Sequence, residues 1–405
     1  KQTRHLLIAL ALGTMLTSCG ASVSTATVTG PAAYVDPYIG SGGHGHVFVG
    51  ASVPFGAIQA GPQNIHKGWD WCSGYHHSDS IVIGFAHTHL SGTGCTDMGD
   101  VQIMPYTGEL RSKRGRQEDI GGSCSSYYSH DNESVSPGYY SLKMDNGVRI
   151  EMTASTRTAL HRITYPEAEG GARPLLINLE EGNGDGAYDT YLRQTDAHTV
   201  EGYRFSKGWG PHKVFFALTT DKPIRSLALF DADTPSEGSE IRCKGAKGVL
   251  TFDDEKQVMV KVAISSVSSA NALENLRTEI PGWDFKAVQT EAIRRWNDEL
   301  AAIDIETADE TAKKIFYTAM YHAFIADDLL RRQRRIPGHD DKVVKDAAWT
   351  NYSTFSLWDT YRALHPLFTL IRQDRLPDIV NSMLSIHDQQ SKLPIWALPG
   401  AETNT

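Results

Sequence analysis

Near residue 283 the chain changes its hydrophobic period, and that switch limits the folds open to it. From about residue 34 to 275, short apolar or alternating runs recur between Gly, Pro, Asn and Asp. They include Ser80–Phe85, Val101–Met104, Gly147–Ile150, Leu175–Leu179, Lys213–Ala217 and Val258–Ile264. Many short strands with turn signals predict a large sandwich or barrel, not βαβ units. After Pro281 the pattern turns helical. Ile293, Trp296, Leu300 and Ile303 fall on one helical stripe. Thr311 to Leu330 carries two neighbouring stripes, Ile315/Ala319/Ala323 and Phe316/Met320/Phe324, so that helix should be packed on more than one side. Further helices are expected over Ser356–Ile371 and from Pro377, a residue suited to a first turn. The final run, LPIWALPGAETNT, ends without a polar tail, and three or four helices cannot enclose such wide stripes. We therefore expect the front part of a longer protein.

A length of 405 residues suggests two or three domains. With 40% hydrophobic and 21% charged residues the chain is globular, not disordered. Its net charge of −9 gives no basic excess, so nucleic acid is not an expected partner. Lys1 and Arg4 precede an apolar run, Leu6–Leu16, that is too short to span a bilayer and reads as a secretory signal. Leu16-Thr17-Ser18-Cys19 resembles a bacterial lipobox, in which Cys19 becomes the lipidated first residue. Gly20 is not the aspartate that would signal inner-membrane retention. The expectation is an exported lipoprotein of the periplasm or outer membrane. Residues 1–19 would be the signal and 20–33 a flexible tether. A sandwich domain at 34–280, a linker helix at 281–305 and a helical domain from 306 to 405 would follow.

Cys72, Cys95, Cys124 and Cys243 are irregularly spaced with no CxxC, so buried thiols, with one disulfide at most, are expected. Eight of the sixteen histidines lie between His44 and His130. His87 and His89 would share a strand face and could chelate a metal. With no HExxH or comparable spacing, hydrogen bonding or sugar contact is the favoured role for these histidines. Gly40–Gly45 matches G-x-G-x-x-G, but the proline-broken run after it is not helical, so dinucleotide binding is excluded.

Gly68–Tyr75 puts Trp69, Asp70, Trp71 and Tyr75 in one glycine-flanked loop. Indole planes stack on the apolar faces of sugars, and carboxylates accept from hydroxyl edges, so this loop reads as a ligand contact. Trp358 and Asp359 fall near the start of a predicted helix, where Asp359 would stay ionised and could hold sugar hydroxyls. Glu402 and Asn404 offer similar groups.

Several of these segments resemble glycoside hydrolase family 92. They are Tyr34–Gly40 with the glycine-histidine loop, Gly50–Gly56, Gly68–His76, Gly84–Gly94, Ser356–Pro366, Leu393–Trp396 and Glu402–Asn404. The resemblance implies a calcium-dependent, inverting exo-α-mannosidase acting on mannose-containing glycans. It also implies an antiparallel β-sandwich joined to an (α/α)6 barrel, here only its first helices. On that basis Trp71 lines the mannose pocket with Cys72 beside it, a pair that resembles the α-1,2-cleaving members. Asp359 would contact the sugar in the −1 site. The family's acid, a Glu, and its base, an Asp, belong to motifs that this sequence lacks. No catalytic residue or calcium ligand is therefore assigned, and the chain alone should be inactive. The competing readings are a carbohydrate-binding lipoprotein without catalysis and a zinc hydrolase using the histidine cluster.

Overall fold

The computed structural model describes residues 25–167, 172–325, 329–330, 335–337, 343–345, 348–398 and 401–402. The expected signal and lipidation site at Cys19 lie outside them. Two large antiparallel sheets, of eight and nine strands, face each other across the main core. The strands expected from the sequence are present at Ile81–Val82, Gly84–Ala86, Gln102–Pro105, Arg149–Ala154, Arg173–Asn178, Pro211–Thr220 and Gln257–Ser265. Gln257–Ser265 is a near-continuous apolar run because it is covered on both faces. Val258, Val260 and Val262 point into the sandwich core, whereas Met259 packs outward on Ile280 and Phe285.

The helices start earlier than the sequence pattern indicated. Helix α1 (Ser269–Glu279) begins inside the stretch read as β-rich. Its cap Ser268 accepts from the Asn271 N–H, and Ala272, Asn275 and Leu276 are buried against the nine-stranded sheet. Its apolar stripe is only two residues long, so the periodicity was faint. Helix α2 (Phe285–Leu300), capped by Asp284, buries Ile293, Trp296 and Leu300 as their spacing requires, while Ile303 lies beyond its end. The helix expected as a linker is docked on the sandwich, where Trp296 Nε1–H donates to the Ser52 carbonyl at 2.8 Å. Within the expected tether the described residues, from 25 on, are docked on α2. Gly30–Tyr34 forms a 3-10 turn, and the Ala26 and Ala32 amides donate to Gln289 and Asn297 of α2.

Helix α3 (Glu310–Ala323) ends well before Leu330, and Leu329–Leu330 is instead a strand paired with Asn351–Tyr352. Its buried residues are Tyr317, Thr318, Met320 and Tyr321. Ile315 is 55% exposed, so only one side of this helix is covered among the described residues. The segment expected as one helix over Ser356–Ile371 is two, α4 (Leu357–Thr360) and α5 (Leu364–Ile371); α6 (Leu376–Gln390) follows.

Sandwich and helices share a second core. Phe48 and Phe55 from the sandwich join Trp296, Leu300, Tyr317, Tyr321, Phe324, Tyr352, Phe355 and Phe368. Phe55 is fully buried, and its ring lies 5.6 Å from Phe324, 5.9 Å from Phe368 and 4.2 Å from the Arg375 guanidinium. Its N–H donates to the Phe324 carbonyl at 2.9 Å. Removing a buried phenylalanine costs about 3–5 kcal/mol. Phe55→Ala should lose that much in urea titration and should split one transition into separate sheet and helix transitions. A single unshifted transition would show that the two parts are not coupled through this ring.

Candidate functional site

The Trp loop is pinned at both ends before its side chains matter. Gly68 has φ 131° and Gly74 φ 81°, values that side-chain-bearing residues avoid. A Cβ on Gly74 would also lie 2.4 Å from Gln63 Oε1. The Asn64 N–H donates to the Gly74 carbonyl at 2.7 Å, and its Oδ1 accepts from the His76 N–H at 2.9 Å. Between these anchors Trp69–Trp71 makes one 3-10 turn.

Trp71 is half-buried. Its Nε1–H donates to Asp79 Oδ2 at 2.9 Å, and the His76 ring stacks on it at 4.5 Å. Asp79 also pairs with Lys67 at 2.8 Å. Trp69, which received no separate role from the sequence, is 57% exposed. Its Nε1–H donates to the Gly94 carbonyl, and its ring meets His46 edge-on at 4.2 Å. Asp70 accepts from His44 Nδ1 and lies 3.5 Å from His46 Nε2; the His44 bond in particular holds its carboxyl below the usual range. Cys72 is buried with its thiol donating to the Trp69 carbonyl. Burial, followed by the charge of Asp70, raises that thiol's pKa, so Cys72 fills space and is no nucleophile. All four described cysteines are free thiols.

On the helical side, Asp359 sits in the first turn of α4, exposed, accepting from Ser356 Oγ at 2.6 Å. Trp358 beside it is 57% exposed. Glu402 lies on a short strand paired with Ala397. Asn404 and the Glu402 side chain lie outside the described residues.

A continuous path of contacts joins the two sides. The Cys72 carbonyl accepts from Asn183 Nδ2, and the Asn183 N–H donates to the Met98 carbonyl at 2.7 Å. Met98 clusters with Leu90 and Cys95 against Trp396, whose backbone pairs with Ser356. The Trp71–Cys72 loop and the Trp358–Asp359 turn thus flank one junction. Asn183 and Trp396 were missed as site residues. Trp396 had a signal in its LPIW motif, but Asn183 sits in an unremarkable loop and had none.

Under the junction lies a buried charge knot. Arg204 donates to Asp100 at 2.6 Å and to both Asp185 oxygens at 2.8 and 2.9 Å, while His212 Nε2 lies 3.2 Å from both Asp100 oxygens. Burial works against the charged forms, but His212 and then Arg204 hold the Asp100 carboxyl well below its usual range. Burial opposes the imidazolium too. Asp100 outweighs it, with help from Asp185 and Asp97, and pushes His212 up to about 9.

His87 and His89 do not chelate a metal. Their Nδ1 atoms donate to the Val101 and Gln59 carbonyls at 2.6 and 2.7 Å. Their Nε2 atoms then accept, from His161 at 2.9 Å and from Gln63 at 3.1 Å. Burial lowers both to about 4, so they are neutral core groups. Two other clusters have metal-like composition, His77/His130/Glu133 and Asp97/Asp185/His212. Neither suits calcium, which takes six to eight oxygens. Glu133 already accepts from Tyr75, Tyr140 and His130, and the two histidine rings stack at 4.2 Å, which turns their in-plane lone pairs away from a common point. In the other cluster Arg204 occupies Asp185, the Met98 and Trp209 amides occupy Asp97, and His212 is cationic.

A two-sheet domain is thus followed by helices, with aromatic and acidic side chains at their junction. Residues 34–265 match the glycosyl hydrolase family 92 N-terminal domain and residues 271–405 the family 92 catalytic domain. The chain belongs to glycosyl hydrolase family 92. A solved family GH92 alpha-mannosidase from Bacteroides thetaiotaomicron, also solved with mannoimidazole, shares 36% identity and a TM-score of 0.88 over 93% of this chain. An inverting GH92 mannosidase from the same species shares 24% identity at TM-score 0.81, a likeness of fold. An uncharacterized secreted glycosidase of Arthroderma benhamiae is 25% identical over 72% of this chain. The chain spans about half the length of these relatives, 52% and 51% of the mannosidase chains and 41% of the glycosidase.

The knot gives a signed pH dependence. His212 is raised above its ordinary 6.5, so its stabilisation is complete below about pH 6.5 and fades as pH climbs through about 9. The full effect is about 3 kcal/mol. The stability advantage of the unaltered chain over His212→Gln should therefore shrink by that order between pH 6.5 and 9.5 in urea titrations. A constant advantage would mean that the ring is neutral in the fold.

Proposed function

We propose that this chain supplies the sandwich and the opening helices of an inverting exo-α-mannosidase that trims mannose from glycans, with α-1,2 linkages as the favoured substrate. The observation that carries the proposal is the contact path from Cys72 through Asn183, Met98 and Trp396 to Ser356, which holds an indole loop and a carboxylate turn at one junction. The family membership and the mannoimidazole complex of the 36%-identical relative support the sugar class.

In this reading Trp71 offers the apolar wall of the terminal-mannose pocket and Cys72 sets its position. Asp359 accepts from sugar hydroxyls, already oriented by Ser356. Glu402 and Asn404 would add further polar contacts. In an inverting enzyme one carboxylic acid protonates the leaving oxygen and a carboxylate across the ring activates water, the pair being about 6.5–9.5 Å apart. In this reading both carboxyl groups come from outside this chain. Exposed apolar residues on the helices, such as Ile315, Leu370, Val380 and Leu384, suit a helical domain with further helices packed on these faces. Export agrees with the secreted relative, and lipidation at Cys19 as the anchor rests on the lipobox-like sequence alone.

The purified 405-residue chain should bind mannoimidazole in calorimetry. Trp71→Ala and Asp359→Ala should each weaken binding about tenfold, the loss typical of a charged hydrogen bond or a buried aromatic contact. It should release no mannose from α-mannosides, with or without calcium. Mannose release would overturn the assignment of acid and base outside this chain, and absence of any mannoside binding would overturn the pocket itself.

A further inference from the structure

The charge knot and the Trp loop are bridged by the turn at residues 182–185, which is held differently at its two ends. Asp185 belongs to the knot. Its two oxygens accept from Arg204 at 2.8 and 2.9 Å, and Arg204 Nε donates to the Leu179 carbonyl at 3.1 Å. Asn183, two residues earlier, belongs to the loop side. Its buried amide donates to the Cys72 carbonyl at 2.5 Å, and its N–H donates to the Met98 carbonyl at 2.7 Å. The Asn64 bond fixes the Trp loop at Gly74, whereas Asn183 fixes its middle, at the residue next to Trp71.

The turn has no room to move between these holds. A Cβ on Gly182 would overlap the Asp185 carboxylate and the Met98 carbonyl, and one on Gly184 would overlap Thr96 Oγ1. Gly184 also sits at φ 85°, where a side chain would be strained. Gly99 closes the turn from the other side, since a Cβ there would lie 2.8 Å from Asn183 N. Met98 lies between two members of the knot. Asp97 accepts from its N–H at 2.9 Å, and Asp100 is held by Arg204 at 2.6 Å. Backbone packed this closely transmits a displacement instead of absorbing it. The Asn183 amide therefore stands where the knot puts it.

Asp185 cannot meet a ligand, because its side chain is wholly enclosed. Any effect it has on the pocket must travel through the turn. We propose that Asp185 and Asn183 are positioning residues for the sugar pocket: Asp185 orients the Asn183 amide through the rigid turn, and that amide holds the Trp71 loop in its sugar-binding position. This rests on the mannose-binding reading above.

The test is a double-mutant cycle on the 405-residue chain. It reads mannoimidazole affinity by calorimetry, with folding checked by near-ultraviolet circular dichroism. Asn183→Leu removes the donor, and Asp185→Asn keeps the shape but loses the charge facing Arg204. Each should weaken binding about three- to tenfold, no more than Trp71→Ala does. In the Trp71→Ala background each should cost less than about twofold, because the group that they position is gone. Equal losses in both backgrounds overturn the proposal, since they place Asn183 against the sugar or in general support of the fold. A loss in only one of the two variants breaks the link through the turn and also overturns it. Unchanged affinity in both, with Trp71→Ala still weakened, overturns the positioning role and leaves the pocket intact. If Asn183→Leu does not fold, Asp185→Asn decides by the same comparison of backgrounds. An unaltered chain that binds no mannoimidazole, or a Trp71→Ala variant that binds it equally well, overturns the pocket and this role together.

Discussion

The junction exists because one sandwich residue is driven into the helical core. Phe55 sits at φ 53°, a conformation that costs a side-chain-bearing residue free energy. That strain persists because the ring is enclosed by Phe324, Tyr352 and Phe368, with Arg375 over its face. Arg375 is itself paired with Glu299 of α2, as is Arg372, so the plug is braced from the far side by a half-buried ion triad. Burying a phenylalanine contributes about 2–3 kcal/mol from area alone, enough to outweigh a strained φ. Sheet and helices are therefore one packed body at this point, and residues on either side can be held in a fixed relation.

The second requirement is rigidity on the sandwich side, where the loops are long and polar. Asp97, Asp100, Asp185, Arg204 and His212 come from loops and strands far apart in sequence, and the side chains of all five are buried. Three carboxylates against one guanidinium and one imidazolium leave a formal residue of one negative charge. Asp97 is the member that carries the imbalance, since burial raises its pKa and His212 only partly offsets this. Its two oxygens are taken by backbone amides, so the charge is solvated by the loops it fixes. Losing one partner of such a knot strands a buried charge, a larger penalty than any single bond in it is worth. The stake is conformational: these loops have one arrangement in which every member is satisfied.

The sequence made the division into sheet and helix legible because both periods are strong in the segments that bury one face. Val258–Ile264 and the Ile293/Trp296/Leu300 stripe are clear in the chain itself. Helix α1 was not, because it fully buries only Ala272, Asn275 and Leu276, and just two of these are apolar. The end of α3 was misread for the opposite reason. Phe324, Ile325, Leu329 and Leu330 continue the apolar pattern, yet Phe324 and Ile325 are buried beyond the helix, where Phe324 offers its carbonyl to Phe55. Hydrophobic periodicity reports burial, and burial persisted after the helix had stopped.

The site itself was half legible, and the division follows chemistry. Candidates that would act through their own side chains, such as Asp359 and the indoles of the Gly68–Tyr75 loop, announce themselves by type and, in the loop, by flanking glycines. Residues that act by holding others do not. Asn183 reads as one polar residue among many until its amide is found on the Cys72 carbonyl. His87 and His89 show the converse: their spacing suggested a chelate, yet each Nδ1 is committed to a carbonyl and each Nε2 to a donor, which leaves no lone pair for a metal. Spacing can bring donors to one face, but only the partners already bound to them decide whether they are available. The same rule disposes of both metal-like clusters, whose donors are already held by Tyr75, Tyr140, Arg204 and backbone amides.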